Sequence, residues 1–172
     1  MTIRGTALAG GLLAAAAFGA YAVSQSRAGA EGACSAGQRQ HNEATVRIVF
    51  EEILGKGRIA ENEHIYHRDF VAHGLTRDAG RAEDRAASEE WRKMAPDLKM
   101  SVLRVVLDCG MVAVHFEGSG TNTGAGNGFP ATGRPIRVQG MTFFGMRDGK
   151  IAEEWTSFDS LALLKQLGLA GS

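Results

Sequence analysis

The side chains with chemical potential fall into three small groups. His64, His67 and His73 lie close together with Asp69 among them, Glu153, Glu154 and Asp159 bracket Trp155, and Cys34 and Cys109 stand far apart. A metal centre needs three or four ligands converging on one point. His64 and His67 can share a helix face at i, i+3, but the chain bends before His73, so these read as polar surface histidines and no metal is expected. His73 alone is a stronger candidate. It follows Phe70-Val71, where the chain enters the core, and an imidazole in a cavity can give or take a proton. Asp159 is a second candidate acid or base, although it also precedes Ser160 and could simply favour the start of a helix. Glu153 and Glu154 read as an exposed strand edge.

Other chemistries are excluded by what the sequence lacks. It has no G-x-S-x-G, and neither cysteine has a neighbouring histidine, so no nucleophile signature is present. The glycine-rich stretch from Gly118 to Gly133 misplaces the third glycine of a phosphate loop, is followed by no Gly-Lys-Ser/Thr, and leads through Phe129-Pro130 into another strand. It reads as a long connection, a rim over a cavity. Lys and Arg together number 19, as do Asp and Glu, for a formal net charge of zero. That balance argues against a nucleic-acid partner.

Candidate residues need elements to hold them, and the chain supplies helices first and strands after. Residues 1–30 carry no acidic side chain: Arg4 is followed by an apolar Ala7–Val23 and a small-residue Ala28-Gly29-Ala30. That order is the signature of a signal peptide, cleaved near Ala30, with export to the periplasm or medium and no stable membrane anchor. Residues 31–39 form a tail and 40–169 a single domain. In an oxidising compartment Cys34 and Cys109 could pair; the alternative is a tail thiol and a buried strand thiol. Val46, Val49, Phe50, Ile53 and Leu54 mark one helical face over 38–54, stopped at Gly55 and Gly57. A short helix is expected over 59–66 and another over 81–94, with Ala82, Ala86, Ala87, Trp91 and Met94 inward. Strands follow over 98–107, 111–117, 136–146 and 150–158, the last two joined at Asp148-Gly149. Ser160–Leu167 closes the chain as a helix with Ser160 as N-cap and Gly168 as C-cap. Helices segregated ahead of an antiparallel meander give an α+β class.

Several strings in order then resemble the SnoaL-like polyketide cyclase (ester cyclase) family of the nuclear transport factor 2-like superfamily. They include Val46–Leu54, Arg68-Asp69-Phe70-Val71-Ala72-His73, Met94-Ala95-Pro96-Asp97-Leu98, Gly140-Met141-Thr142-Phe143-Phe144, Arg147–Trp155 and Leu163–Gly168. The resemblance implies a curved antiparallel sheet wrapped around helices, a cone with an apolar pocket, and a homodimer made through the sheet. It also implies ring closure of a small molecule by aldol condensation with no metal or cofactor, a carboxylate removing a proton beside a carbonyl. Aligned on Asp148-Gly149-Lys150-Ile151, the family's acid falls at Thr156 and its pocket histidine at Thr142. Threonine is no base near neutral pH unaided.

Two expectations stand side by side. The first is a cofactor-independent cyclase, lyase, isomerase or hydrolase acting on a small apolar molecule. His73 or Asp159 would be its acid/base, and Trp91, Thr142, Phe144, Trp155 and Thr156 would line its pocket. The second is a non-catalytic module of the same fold that binds a small ligand or only dimerises.

Overall fold

The computed structural model describes residues 34–171; the expected signal peptide and the first residues of the tail lie outside the described residues. Ser35 opens the first helix by accepting a hydrogen bond from the Gln38 amide at 3.0 Å. This helix, α1 (Ala36–Ile48), runs on without a break into a π-helical turn over Val49–Leu54. A 3₁₀ turn (Ile59–Glu61) leads into the single-turn α2 (Asn62–Ile65), β1 (Tyr66–Ala72) and the short β2 (Ala79–Gly80). Then come α3 (Arg81–Met94), β3 (Lys99–Leu107), β4 (Met111–Thr121), β5 (Pro135–Arg147), β6 (Lys150–Phe158) and α4 (Ser160–Leu167). Among the described residues, no helix is long and apolar enough to cross a membrane.

The strands form one sheet in the order β2-β1-β6-β5-β4-β3. Most pairings are antiparallel, as the alternating sequence implies, but β1 runs parallel to β6, so the sheet is mixed rather than wholly antiparallel. β1 itself was not visible in the sequence. The polar His67-Arg68-Asp69 in its middle and a register irregularity between Tyr66 and Val71 remove the period-two signal a strand normally leaves. Tyr66 therefore begins a strand instead of ending the helix expected over 59–66.

Alternation along the long strands sorts the two faces. Val112, Val114 and Phe116 of β4, with Phe144 of β5, are buried beneath α1, where they meet Val46, Val49, Phe50 and Ile53. Phe50 stacks on Phe116 at 4.9 Å and meets Phe144 edge-on at 6.0 Å, each such pair adding about 0.5–1.5 kcal/mol beyond burial. The opposite face carries Val106, Met141, Phe143 and Trp155, all exposed.

Three ties fix the helices over the sheet. Cys34 and Cys109 form a disulfide joining the start of α1 to the β3–β4 turn across a separation of 75 residues, and Asn42, fully buried, donates to the Cys109 carbonyl at 3.1 Å. Closing so long a loop limits the unfolded chain and contributes about 2–4 kcal/mol. Arg92 of α3 points its guanidinium at the Leu98 carbonyl (2.9 Å), the Pro96 carbonyl (2.6 Å) and the Gly55 carbonyl (3.3 Å), tying α3 to the end of the π turn. The glycine-rich connection is the third tie. β4 extends through Gly118–Thr121, and the buried Asn122 then accepts from the Thr132 amide (2.8 Å) and donates to the Gly124 carbonyl (3.0 Å). A Cβ at Gly124 would stand 2.1 Å from the Lys93 carbonyl oxygen and one at Gly126 2.4 Å from that of Glu90. The glycines let this loop lie directly on the α3 backbone, so it braces that helix instead of forming a loose rim.

Candidate active site

A cavity of about 140 Å³ lies between the π turn, α3 and the inner face of the sheet. Its walls are mostly apolar: Val49, Phe50 and Leu54 from the π turn, Trp91 from α3, Met100 from β3, and Phe158 from β6. Trp91 and Phe158 meet edge-on at 5.7 Å. The polar groups come from four elements: Asp84 and Ser88 from α3, Tyr66 from β1, Thr142 from β5, and Glu154 and Thr156 from β6.

Local structure explains each placement. On α3, Asp84, Ser88 and Trp91 recur at i, i+4, i+7, which is one helical face. The alanines expected there, Ala82 and Ala86, are exposed, and the inward line includes a carboxylate that an apolar count passes over. On β6, Glu154, Thr156 and Phe158 alternate inward, while Glu153, Trp155 and Ser157 take the other face. Thr142 pairs directly with Thr156 across β5 and β6.

Hydrogen bonds order these groups. The Thr156 hydroxyl donates to Glu154 Oε1 at 2.7 Å, and the Thr142 hydroxyl lies 2.8 Å from that of Thr156. Since Thr156 spends its proton on the carboxyl, Thr142 is the donor in that second contact. The remaining carboxyl oxygens, Glu154 Oε2 and Asp84 Oδ2, are buried without a hydrogen-bond partner. Burial pushes Glu154 up to about 8, the nearby Asp84 charge adds to this, and the Thr156 hydrogen bond opposes it. Burial also raises Asp84, to about 6, against the pull of the Asn62 amide and the Tyr66 hydroxyl. Tyr66 is driven well above the ordinary phenol range by burial, then by the charges of Glu154 and Asp84, and stays neutral. Near neutral pH the carboxyl pair thus keeps a proton, favoured on Glu154, with charge favoured on Asp84.

The residues singled out from sequence divide accordingly. Trp91, Thr142 and Thr156 line the cavity as expected. Phe144 is fully buried in the core against Phe50 and is not part of the cavity wall. Trp155 points to the other face of the sheet, because β6 alternates and Thr156 takes the inward position. His73 follows Trp155 to that face: its ring stacks on the indole at 4.5 Å, with Nδ1 3.3 Å from Asp78 Oδ1 and Nε2 3.5 Å from Glu153 Oε2. Asp159 is the N-cap of α4, accepting from the Ala162 amide at 2.8 Å, and is exposed. It, rather than Ser160, supplies the cap. His73 and Asp159 therefore do not meet in the cavity, and neither is placed to act as its acid or base. Glu154, read from sequence as an exposed edge residue, is the carboxylate that points inward. The available signal was its position two residues before Thr156, which puts it on the same strand face. Among the described residues no group of three or more potential metal ligands gathers.

The family profile for SnoaL-like polyketide cyclases matches residues 44–167. By sequence, no curated protein matches. Among solved structures, TsrD from Streptomyces laurentii is 24% identical with a TM-score of 0.68, covering 79% of this chain and 98% of its own. IdmH from Streptomyces antibioticus is 24% identical with a TM-score of 0.64, covering 74% of this chain and 98% of its own. A SnoaL-like polyketide cyclase from Agrobacterium tumefaciens C58 is 20% identical with a TM-score of 0.60, over 72% of this chain and 95% of its own. These likenesses establish the shared fold.

The raised carboxyls make a stability prediction. Unfolded, both groups ionise near about pH 4; folded, they hold protons to higher pH. Their contribution is fully present below about pH 4 and is lost as pH rises through the folded values near 6 and 8. Glu154→Gln keeps the oxygen that accepts from Thr156 and removes the ionisation. It should raise stability at pH 8 by about 1–2 kcal/mol and flatten the fall between pH 5 and 8. Urea melts of wild type and variant across that range check this; an unchanged slope would show that Glu154 titrates as it does in the unfolded chain.

Proposed function

The chain belongs to the SnoaL-like polyketide cyclase family, and from that premise we propose that it is a cofactor-independent acid/base enzyme. It would move a proton on a small, largely apolar carbonyl compound, as a cyclase or a related lyase or isomerase does. The observation that carries this reading is the inward carboxyl pair, whose free oxygens Asp84 Oδ2 and Glu154 Oε2 sit buried and unpartnered in an apolar cavity.

The roles follow from the hydrogen bonds. Asp84 is the better base, since it is the member of the pair on which charge is favoured near neutral pH. It takes the proton from the carbon beside the carbonyl. Thr156 occupies Glu154 Oε1, so the Glu154 proton is carried on Oε2, facing the cavity. There it donates to the carbonyl oxygen as negative charge builds in the enolate, where a preorganised donor is most effective. Thr142 holds Thr156 in the orientation that keeps Oε1 engaged. The family's acid and histidine positions are occupied here by Thr156 and Thr142, and the carboxylate function moves two residues along the same strand face to Glu154. The apolar walls contributed by Phe50, Leu54, Trp91 and Phe158 exclude water and fold the substrate for attack.

This reading is tested by deuterium uptake at the α-carbons of a small apolar ketone such as 2-tetralone. Wild type should accelerate exchange with a bell-shaped pH profile whose limbs lie near 6 and 8, the values of Asp84 and Glu154. Asp84→Asn should lower the rate by about 10²-fold or more, and Glu154→Gln should remove the high-pH limb. Exchange that persists in Asp84→Asn rules out Asp84 as the base.

Two further readings concern setting and assembly. Export is supported by the acid-free start of the sequence, with Arg4 ahead of an apolar stretch, and by the Cys34–Cys109 disulfide, a bond that persists in oxidising compartments. A homodimer through the outer sheet face is supported by Val106, Met141, Phe143 and Trp155, large apolar side chains exposed together on that face. Intact mass of the exported chain should place its first residue at Glu31. Light scattering should give a dimer for wild type and a monomer for Phe143→Glu; a monomeric wild type would end the dimer reading.

A further inference from the structure

Every titratable side chain lining the cavity is an acid: Asp84 from α3, Tyr66 from β1 and Glu154 from β6. No lysine, arginine or histidine lines it among the described residues. The two carboxyls accordingly lie in an apolar space with nothing cationic to balance them. Their free oxygens have no hydrogen donor, and a buried acceptor left unmade is costly. Around these groups the walls present aromatic rings: Phe50, Tyr66, Trp91, Phe116 and Phe158. Ring faces carry negative potential and attract a desolvated cation, Trp most strongly.

We infer that the cavity is selective by charge, accepting a small hydrophobic ammonium in the position between Asp84 Oδ2 and Glu154 Oε2 and rejecting carboxylates and phosphates of the same shape. The ammonium supplies donors to both orphaned oxygens at once. Its apolar body rests against Trp91 and Phe158, and its charge offsets the repulsion that otherwise forces the pair to retain a proton. An anion meets the reverse on every count: it brings only acceptors, faces charge of its own sign and finds no cation to balance it. A neutral alcohol can donate one hydrogen bond and lies between these limits. This selectivity concerns what the cavity holds and does not depend on whether it catalyses proton transfer.

The test uses the full chain and three ligands of nearly one shape: benzylamine, benzyl alcohol and benzoate, followed by calorimetry. At pH 8 benzylamine should bind at least about tenfold more tightly than benzyl alcohol, and benzoate should be the weakest. The advantage of the amine over the alcohol should widen from pH 5 to pH 8, with protons released on binding, as the pair gives up the proton it retains in the empty cavity. Asp84→Asn and Glu154→Gln, both isosteric, should each bring amine and alcohol within about threefold of one another. Benzoate binding as tightly as benzylamine, no measurable binding of any of the three, or an amine preference that survives both substitutions would each overturn the inference. Ketone exchange measured on the same samples separates the two readings: intact exchange with no amine preference removes the charge selectivity alone.

Discussion

Two carboxyl groups facing one desolvated space set the terms for the rest of this molecule. Asp84 and Glu154 cannot both ionise cheaply inside an apolar cavity, and what the fold does is hold them there regardless. The unfavourable placement is sustained from three directions. Thr156 and Thr142 satisfy one oxygen of Glu154. Tyr66 and Asn62 stand by Asp84, and the aromatic core beneath α1 supplies burial that outweighs the local cost. Groups kept in so uncomfortable a state are common where a protein needs a proton available near neutral pH.

Holding a carboxylate on a helix against one on a strand requires the helix not to drift. α3 bears on the sheet through few fully buried residues of its own, chiefly Ser88 and Met94. Its position is secured mainly by backbone-directed contacts. Arg92 gathers the carbonyls of Pro96 and Leu98 and reaches that of Gly55, while the loop carrying Gly124 and Gly126 lies against the carbonyls of Lys93 and Glu90. Apart from Arg92 itself, these contacts depend little on side-chain identity within α3. The inner face of the helix is thereby freed to carry Asp84 and Ser88 where packing alone would ask for apolar residues.

Much of this architecture was legible in the sequence. α3, β6 and α4 fall where the turn residues put them: Pro96 stops the first, Asp148-Gly149 opens the second and Gly168 stops the third. β1 was hidden by three consecutive polar residues, and its parallel pairing with β6 by the long stretch of chain between them. The site was less readable than the fold. His73 and Trp155 look inward by type, yet the alternation of β6 sends Trp155 outward and the imidazole goes with it, stacked on the indole. Glu154 looks outward by type and is inward by the same alternation. A single sequence gives composition directly, but strand phase only once one inward residue is known, and here Thr156 was that residue.

The π turn at Val49–Leu54 has a consequence for how such a cavity can be reshaped. Val49 and Leu54, five residues apart, both line the cavity. In a regular α-helix, with 3.6 residues per turn, a spacing of five carries a side chain well around the axis, whereas one wider turn brings the two back into line. The wall is thus encoded by chain length as much as by side-chain type. Shortening this segment by a single residue would restore ordinary helical winding and rotate everything beyond it, swinging Leu54 away from the opening without altering any residue that contacts Asp84 or Glu154. In this fold, insertion and deletion at one helical turn can therefore change the shape of the space offered to a ligand while leaving its acid–base pair untouched.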